Sequence, residues 1–417
     1  MIKKKYNYNS FNLYTVKTDR FKTCHMQIIF YKSLDKNNIT KENVLADTLC
    51  YTSKKYKKRN DVIEHLEDLY NASFYASCNI IGNVRTISFN YNFIDPIYAD
   101  KNYLKEVIKF PFEMIFNPNI KNNEFDNTTL KIVKNKIKSD IESIKDNSST
   151  YCLKQAIINT DENAPSSIIQ VGNINDLNKI NQENLVETYN SLLNDYYCDI
   201  YLIGNLDMEK VSLMIKDLFE NDIIKTEKLE PSYKLNVKKY KNIEQTDNFE
   251  QSTLINIYNI LELSEFEKFY VMIIFNILFG SSSLSNKLSQ NLREKNSLCY
   301  FCESAYQTNE NYLIVFCEID KKNKNKALSL IKKSLNEMVK GNFSESDLNN
   351  AIKLAINSIK TSLDNPYAIL NNYFFYNLKS VPLFKERLDK IETVSKKDVI
   401  EVAKKIKLVT TYFMKGK

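Results

Sequence analysis

Arg293 and Tyr300 carry the most specific chemistry in this chain. A guanidinium presents a planar fork of donors and a phenol adds one more. Held close together, the two can grip a peptide carbonyl or steady an oxyanion. The residues around them must bring them together. Leu284, Leu288, Asn291 and Leu292 fall near i, i+4, i+7 and i+8, which predicts a helix over 284–295. Ser281, Ser282 and Ser283 offer N-cap hydroxyls, and Asn296-Ser297 provides a stop. A strand is predicted over 298–306, where Tyr300, Cys302 and Ser304 alternate with Cys299, Phe301 and Glu303. The arginine then closes the helix and the tyrosine opens the strand. On local chemistry alone, a surface arginine and a half-buried strand tyrosine is the weightier reading.

Other catalytic schemes are limited by histidine, of which the chain has only His25 and His65. His25 lies on an apolar strand and reads as a core histidine with its hydrogen bonds satisfied. Neither histidine sits near a GxSxG nucleophile motif, and no glycine-rich phosphate loop occurs. Asp61, Glu64 and His65 share one helical face, so a metal there is geometrically conceivable. Against it, Asn60 or Asp61 stands where the helix needs a cap, and Glu64 and His65 suit the surface of an amphipathic helix. Cys299 and Cys302 form a lone CxxC on the predicted strand. Three residues apart on a strand means opposite faces, so they read as packing residues.

At 417 residues the chain exceeds one compact core and predicts at least two domains. Hydrophobic residues at 43% and aromatics at 12% exclude wholesale disorder. The net charge of +7 is spread along the length. Lysine clusters at 54–59 and 321–326 lack interleaved aromatics, so no nucleic-acid partner is expected. The opening MIKKKYNYNSFNLYTV turns polar at once and predicts no secretory leader. FYVMIIFNILF (269–279) is too short to span a bilayer and predicts a buried helix. Eight scattered cysteines in apolar contexts are the usage of a reduced, cytoplasmic protein.

Periodicity predicts strands at 11–16 and 23–31, helices at 39–51 and 61–70, and a hairpin of 73–80 with 84–93 turning at Gly82-Asn83. Helices follow at 100–116, 126–145, near 151–159 and at 182–193, then a strand at 198–204 and a helix at 208–219. Residues 221–241 are polar, carry Pro231 and predict a linker. The order then begins again. A strand at 253–259, helices at 266–279 and 284–295, and a hairpin of 298–306 with 312–319 lead to helices at 326–340 and 346–363. A short element at 375–378, a helix at 395–406 and a strand at 409–413 close the chain. An order repeated at an offset of roughly 220 residues predicts two copies of one domain, at 1–220 and 242–417. Each copy reads as α+β, a mostly antiparallel sheet with helices packed on one face.

SSLSNKL and NLREKNSLCY resemble the second-domain signature of the pitrilysin/insulinase-type zinc peptidases, the inverzincins. That signature runs small residues, Ser-x-Leu, then Leu-Arg-Glu-x-x-x-Leu-x-Tyr, and the likeness extends over most of the chain. The resemblance implies two homologous halves forming half of a clam-like shell around a peptide chamber. It also implies that Arg293 and Tyr300 bind substrate opposite a zinc ion.

The family holds zinc through HxxEH on its first long helix, the Glu polarising the attacking water, with a later carboxylate as third ligand. By the resemblance those positions fall in ENVLADTLCYTS: Asn43 and Asp47 replace the histidines and Ala46 replaces the base. The later ligand falls at Asp140, with Glu142 as the alternative. The resemblance therefore implies a degenerate member with no catalytic residue and no metal or other cofactor of its own. Its expected partner is an active zinc-peptidase homologue, with which it forms a heterodimer on a peptide or leader-peptide substrate. Two further readings stay open: a non-proteolytic scaffold or assembly protein of the same fold, and a free-standing hydrolase using Asp61, Glu64 and His65.

Overall fold

The computed structural model describes residues 2–219, 229–281, 285–299 and 301–417. The chain forms two compact units, Met1–Ser143 with Ile169–Pro231, and Ile144–Ile168 with Ser232–Lys417.

In the first unit, strands β1 (Ile2–Asn7), β2 (Asn12–Lys17) and β3 (Thr23–Ser33) are followed by β4 (Ser73–Ile81) and β5 (Val84–Ile94). A small ribbon of β6 (Ile120–Lys121) and β7 (Glu124–Phe125) comes next, and β8 (Tyr197–Gly204) completes the main sheet. The helices are α1 (Ile39–Tyr51), α2 (Arg59–Asp68), α3 (Tyr103–Phe116) and α4 (Asn127–Glu142). α5 (Ser148–Thr160) belongs to the second unit, and after it α6 (Ile174–Lys179), α7 (Gln182–Asp195) and α8 (Met208–Leu218) return to the first. The sheet order is β1-β2-β8-β3-β5-β4, antiparallel throughout except for the parallel pair β2/β8. Gly82 takes positive φ in the β4–β5 turn, a conformation glycine adopts without strain. Helices cover the sheet through their apolar stripes. Leu45 and Leu49 of α1, Val107 and Phe112 of α3, and Leu185 and Leu192 of α7 enter one core with Ile28, Phe30 and Phe89 of the sheet.

In the second unit, β9 (Lys241–Thr246), β10 (Ser252–Ile260), β11 (Cys302–Gln307), β12 (Tyr312–Ile319) and β13 (Ile406–Lys415) form a sheet of order β11-β12-β10-β13-β9. Its helices are α9 (Met272–Phe279), entered through a π-helical turn at Glu267–Val271, then α10 (Lys324–Val339), α11 (Glu345–Ser362) and α12 (Pro366–Lys379). α13 (Phe384–Ile391) and α14 (Lys396–Lys404) complete the set. Only β13/β9 is parallel. The path β4–β5–β3–β8–β2 of the first sheet thus recurs as β11–β12–β10–β13–β9, with the same neighbours and the same strand directions.

The structure departs from the sequence reading in several places. Residues 144–168 group with the second unit, not the first. Cys152, Ala156 and Ile157 of α5 pack on Ile255, Ile257 and Tyr412 of the second sheet, a choice of partner that amphipathic periodicity does not encode. β1 and β9 add strands whose polar sequences gave no alternation, since each pairs on one side only. β9 also starts where the linker was expected to end. The motif Asp364-Asn365-Pro366 follows the end of α11 and opens α12. The Asn365 side chain accepts from the Tyr367 and Ala368 N–H groups, at 2.9 and 3.3 Å, and Pro366 sits in the first turn. The element expected at 375–378 is the end of that helix.

Candidate functional site

Asn43, Ala46 and Asp47 lie on one face of α1, the spacing of neighbours on a helical turn. Asn43 commits its amide hydrogens to two carbonyls, Ile39 and Gln170, each at 2.8 Å. Ala46 is buried and offers no proton acceptor. The Asp47 carboxylate accepts from the Lys136 ammonium of α4 at 2.8 Å. Burial disfavours charge on Lys136, yet the bond to Asp47, with Asp140 one turn along α4, holds its pKa above the ordinary lysine value. An ammonium therefore occupies the acidic coordination that a metal would need. Asp140 itself is exposed, and Glu142 faces Lys138 at 3.8 Å. The donors present do not fit zinc: no imidazole, a committed amide, a methyl group and one carboxylate already neutralised.

Beside this ion pair is a cavity of about 200 Å³ lined by Asp47, Tyr51, Arg59, Phe74, Tyr75 and Lys136 among others. Arg59 donates to the Cys50 carbonyl at 2.8 Å and lies over the Tyr51 ring, 5.3 Å from its centroid. Phe74 and Tyr75 belong to β4, the end strand of its sheet, so one row of its backbone groups faces away from any neighbouring strand.

Beneath α1 lies a charged network that the sequence reading missed. Glu42 is fully buried and accepts from Arg85 Nε at 2.8 Å and from the Tyr196 hydroxyl at 2.5 Å, with Lys32 at 3.9 Å. Burial first, then the Glu42 charge, pushes the Tyr196 phenol far up, which keeps it a donor. The available signal was an arginine inside the apolar strand VRTISF, which calls for a buried acid nearby.

In the second unit Arg293 sits in a π-helical turn, Ser289–Glu294, closed by the Lys295 N–H on the Gln290 carbonyl at 3.1 Å. Its Nε is 3.5 Å from Glu294, and its side chain is 38% exposed. Tyr300 lies outside the described residues, as do Ser282, Ser283 and Leu284.

Residues 179–354 match the family described as "Peptidase M16 inactive domain". Over 406 residues the chain is 27% identical to a Bacillus subtilis (strain 168) protein named "Probable inactive metalloprotease YmfF", across 96% of this chain and 95% of that one. In both comparisons the chain is similar to M16 peptidases described as inactive. Its fold matches a conserved protein from Enterococcus faecalis V583 with a TM-score of 0.90 at 26% identity, covering 98% of this chain and 97% of the other. A peptidase M16 inactive domain from Pseudomonas fluorescens shares the fold with a TM-score of 0.81 at 13% identity, over 100% and 99% of the two chains. The matched segment takes in Arg293 and begins after α1.

Two other expectations change. α2 starts at Arg59, and the Asp61 carboxylate accepts from the Lys58 N–H at 2.9 Å, so it caps the helix from its third position. His65 is not an ordinary surface residue. Its ring stacks on Tyr56 at 4.9 Å and lies 5.5 Å from Phe110, and burial lowers its pKa. Glu64 is exposed, and among the described residues no group of three or more His, Cys, Asp or Glu is placed to hold a metal ion. His25 is half-buried, lies 3.2 Å from the Thr23 hydroxyl, and burial lowers its pKa to about 4, so its ring is neutral. Cys299 and Cys302 do not point apart. The strand begins at Cys302, so Cys299 lies ahead of the alternating pattern, and both thiols hydrogen-bond with that of Cys317, which faces Cys302 across β11/β12. The Cys302 and Cys317 donors lower the Cys299 pKa against the opposing effect of burial, and the Arg293 charge adds to them.

Proposed function

We propose that this chain is a non-catalytic subunit that holds an extended peptide while an active, zinc-bearing relative cleaves it. The observation that supports the reading is the ion pair of Asp47 on α1, a position the resemblance assigns to a metal ligand, with Lys136 on α4, beside the cavity that Phe74 and Tyr75 of the end strand β4 also line. An edge strand can take a peptide backbone as an added strand, and the neighbouring cavity can take one of its side chains. Phe74, Tyr75 and the Arg59–Tyr51 stack offer aromatic and cationic surface for that side chain. Without imidazoles or a general base, these residues position a peptide and do not activate water.

Arg293 and Tyr300 supply the second contact in this reading, gripping a substrate carbonyl. The partner supplies the zinc and its water. Small peptides or leader segments are the substrates that an added strand can accommodate. A reducing, cytoplasmic setting suits the eight free thiols. Among the described residues no helix is long and apolar enough to cross a membrane.

The test is reconstitution with an HxxEH relative encoded alongside it. Peptide turnover should appear only when both chains are present. Arg293→Ala should lower it by roughly ten-fold or more while the pair still co-elutes on a sizing column. Turnover by the relative alone, equal to that of the mixture, would favour the scaffold reading. Full activity of the Arg293→Ala pair would remove the role given to that residue.

A further inference from the structure

Three cations converge on an open cavity of about 280 Å³ in the second unit: Lys268 from the turn at Glu267–Val271, Lys379 from the end of α12, and Arg387 from α13. Tyr306 of β11, with Thr308 and Asn309 of the turn after it, also lines the cavity. All three cations are half-buried, and burial lowers the pKa of each. Lys379 is lowered further by the charge of Lys268, so the two repel one another across the site.

The nearby acids do not neutralise this cluster. Glu386 precedes Arg387 but turns to the Tyr270 hydroxyl at 3.2 Å and to Lys390 at 2.9 Å. Glu265 is felt electrostatically by Lys268 alone of the three. Lys379 donates to a neutral acceptor, the Asn309 side-chain carbonyl. Among the described residues no carboxylate lies within ion-pairing distance of Lys268, Lys379 or Arg387. Partly desolvated like charges without counter-charge are costly to the fold, and an anion in their midst removes that cost.

We infer that this cavity binds a small phosphate-bearing anion. One carboxylate would leave most of the positive charge unmatched, whereas a pyrophosphate-like group carries enough negative charge for all three cations. The guanidinium fork of Arg387 suits two phosphate oxygens, the lysines act as point charges, and the Thr308 hydroxyl adds a neutral donor. The volume is at the small end of ligand pockets, which favours a compact anion over a whole nucleotide. This inference stands apart from the peptide-holding reading.

The experiment is calorimetric titration of the full chain with sodium pyrophosphate at low ionic strength. Saturable binding is expected, weakened roughly ten-fold or more by Arg387→Gln and by Lys379→Met. The exposed Lys397→Gln should bind as wild type does. Without ligand, Lys379→Met should melt no lower than wild type, because removing one of three like charges relieves repulsion, so a folded variant remains for the comparison. No saturable heat up to millimolar pyrophosphate, or unchanged binding in both cavity variants, overturns the inference. Binding of a free-acid tetrapeptide in place of pyrophosphate also overturns it, in favour of a carboxylate site.

Discussion

α1 and α9 occupy the same place in the two units, each packed along the end strand of its sheet, β4 or β11. Both bury an apolar stripe, but they differ in the polar group each brings with it. α1 carries Glu42 into the interior, where Arg85 and Tyr196 meet it. α9 reads MIIFNILF and buries Ile274, Phe275, Leu278 and Phe279. Its one polar residue, Asn276, exchanges hydrogen bonds with Ser304 at 3.2 and 2.6 Å. The repeated frame therefore rests on strand pairing and apolar volume, while the chemistry along the helix is free to diverge. In the first unit the helix also presents Asn43 and Asp47, which bond to the Gln170 carbonyl and to Lys136. In the second it is a packing element.

The sharpest way to break this comparison is Glu42→Ala. It strands Arg85, whose Nη1 and Nη2 already lack hydrogen-bond partners, as an uncompensated buried charge. A loss of about 3–5 kcal/mol in urea unfolding is expected, and the double variant Glu42→Met with Arg85→Met should recover most of it. If the double variant is no better than the single, the cost lies in packing and not in charge. Ile274→Val on α9 should cost about 0.5–1.5 kcal/mol by the same measurement, with no charged partner able to rescue it. Asp47→Asn should cost no more than about 1 kcal/mol, because Lys136 is largely exposed and its ion pair is screened.

A pH series refines the same contrast within the first unit. Burial holds His25 at a pKa of about 4 against an ordinary 6.5, so the unfolded chain binds more protons between those values. Stability should fall as pH drops from about 6.5 towards about 4. The urea midpoint of His25→Gln should fall less steeply over that window than that of wild type.

Much of the frame was readable from periodicity. The helix expected at 39–51 and the strand at 312–319 coincide with α1 and β12, because both carry dense apolar spacing. IKKKYN and KNIEQT were missed because an edge strand with exposed lysines and glutamates need not alternate. The three-thiol contact was missed for a different reason. The strand starts at Cys302 and not at 298, so the two-residue period used to separate Cys299 from Cys302 did not apply. At the candidate site, the lack of histidine in ENVLADTLCYTS was legible. The partner of Asp47 was not, since Lys136 arrives from a helix 89 residues away in sequence. Pocket cations gathered from α12, α13 and a π-helical turn are equally invisible to local pattern, because only tertiary packing brings them together.

By the proposed reading, the ion pair of Asp47 on α1 with Lys136 on α4 stands where the family resemblance expects zinc ligands. Elemental analysis of the purified chain after zinc loading and dialysis tests it most directly. The account predicts far less than stoichiometric zinc, unchanged by Asp47→Ala. Stoichiometric zinc that is lost on Asp47→Ala or Asp140→Ala would contradict it.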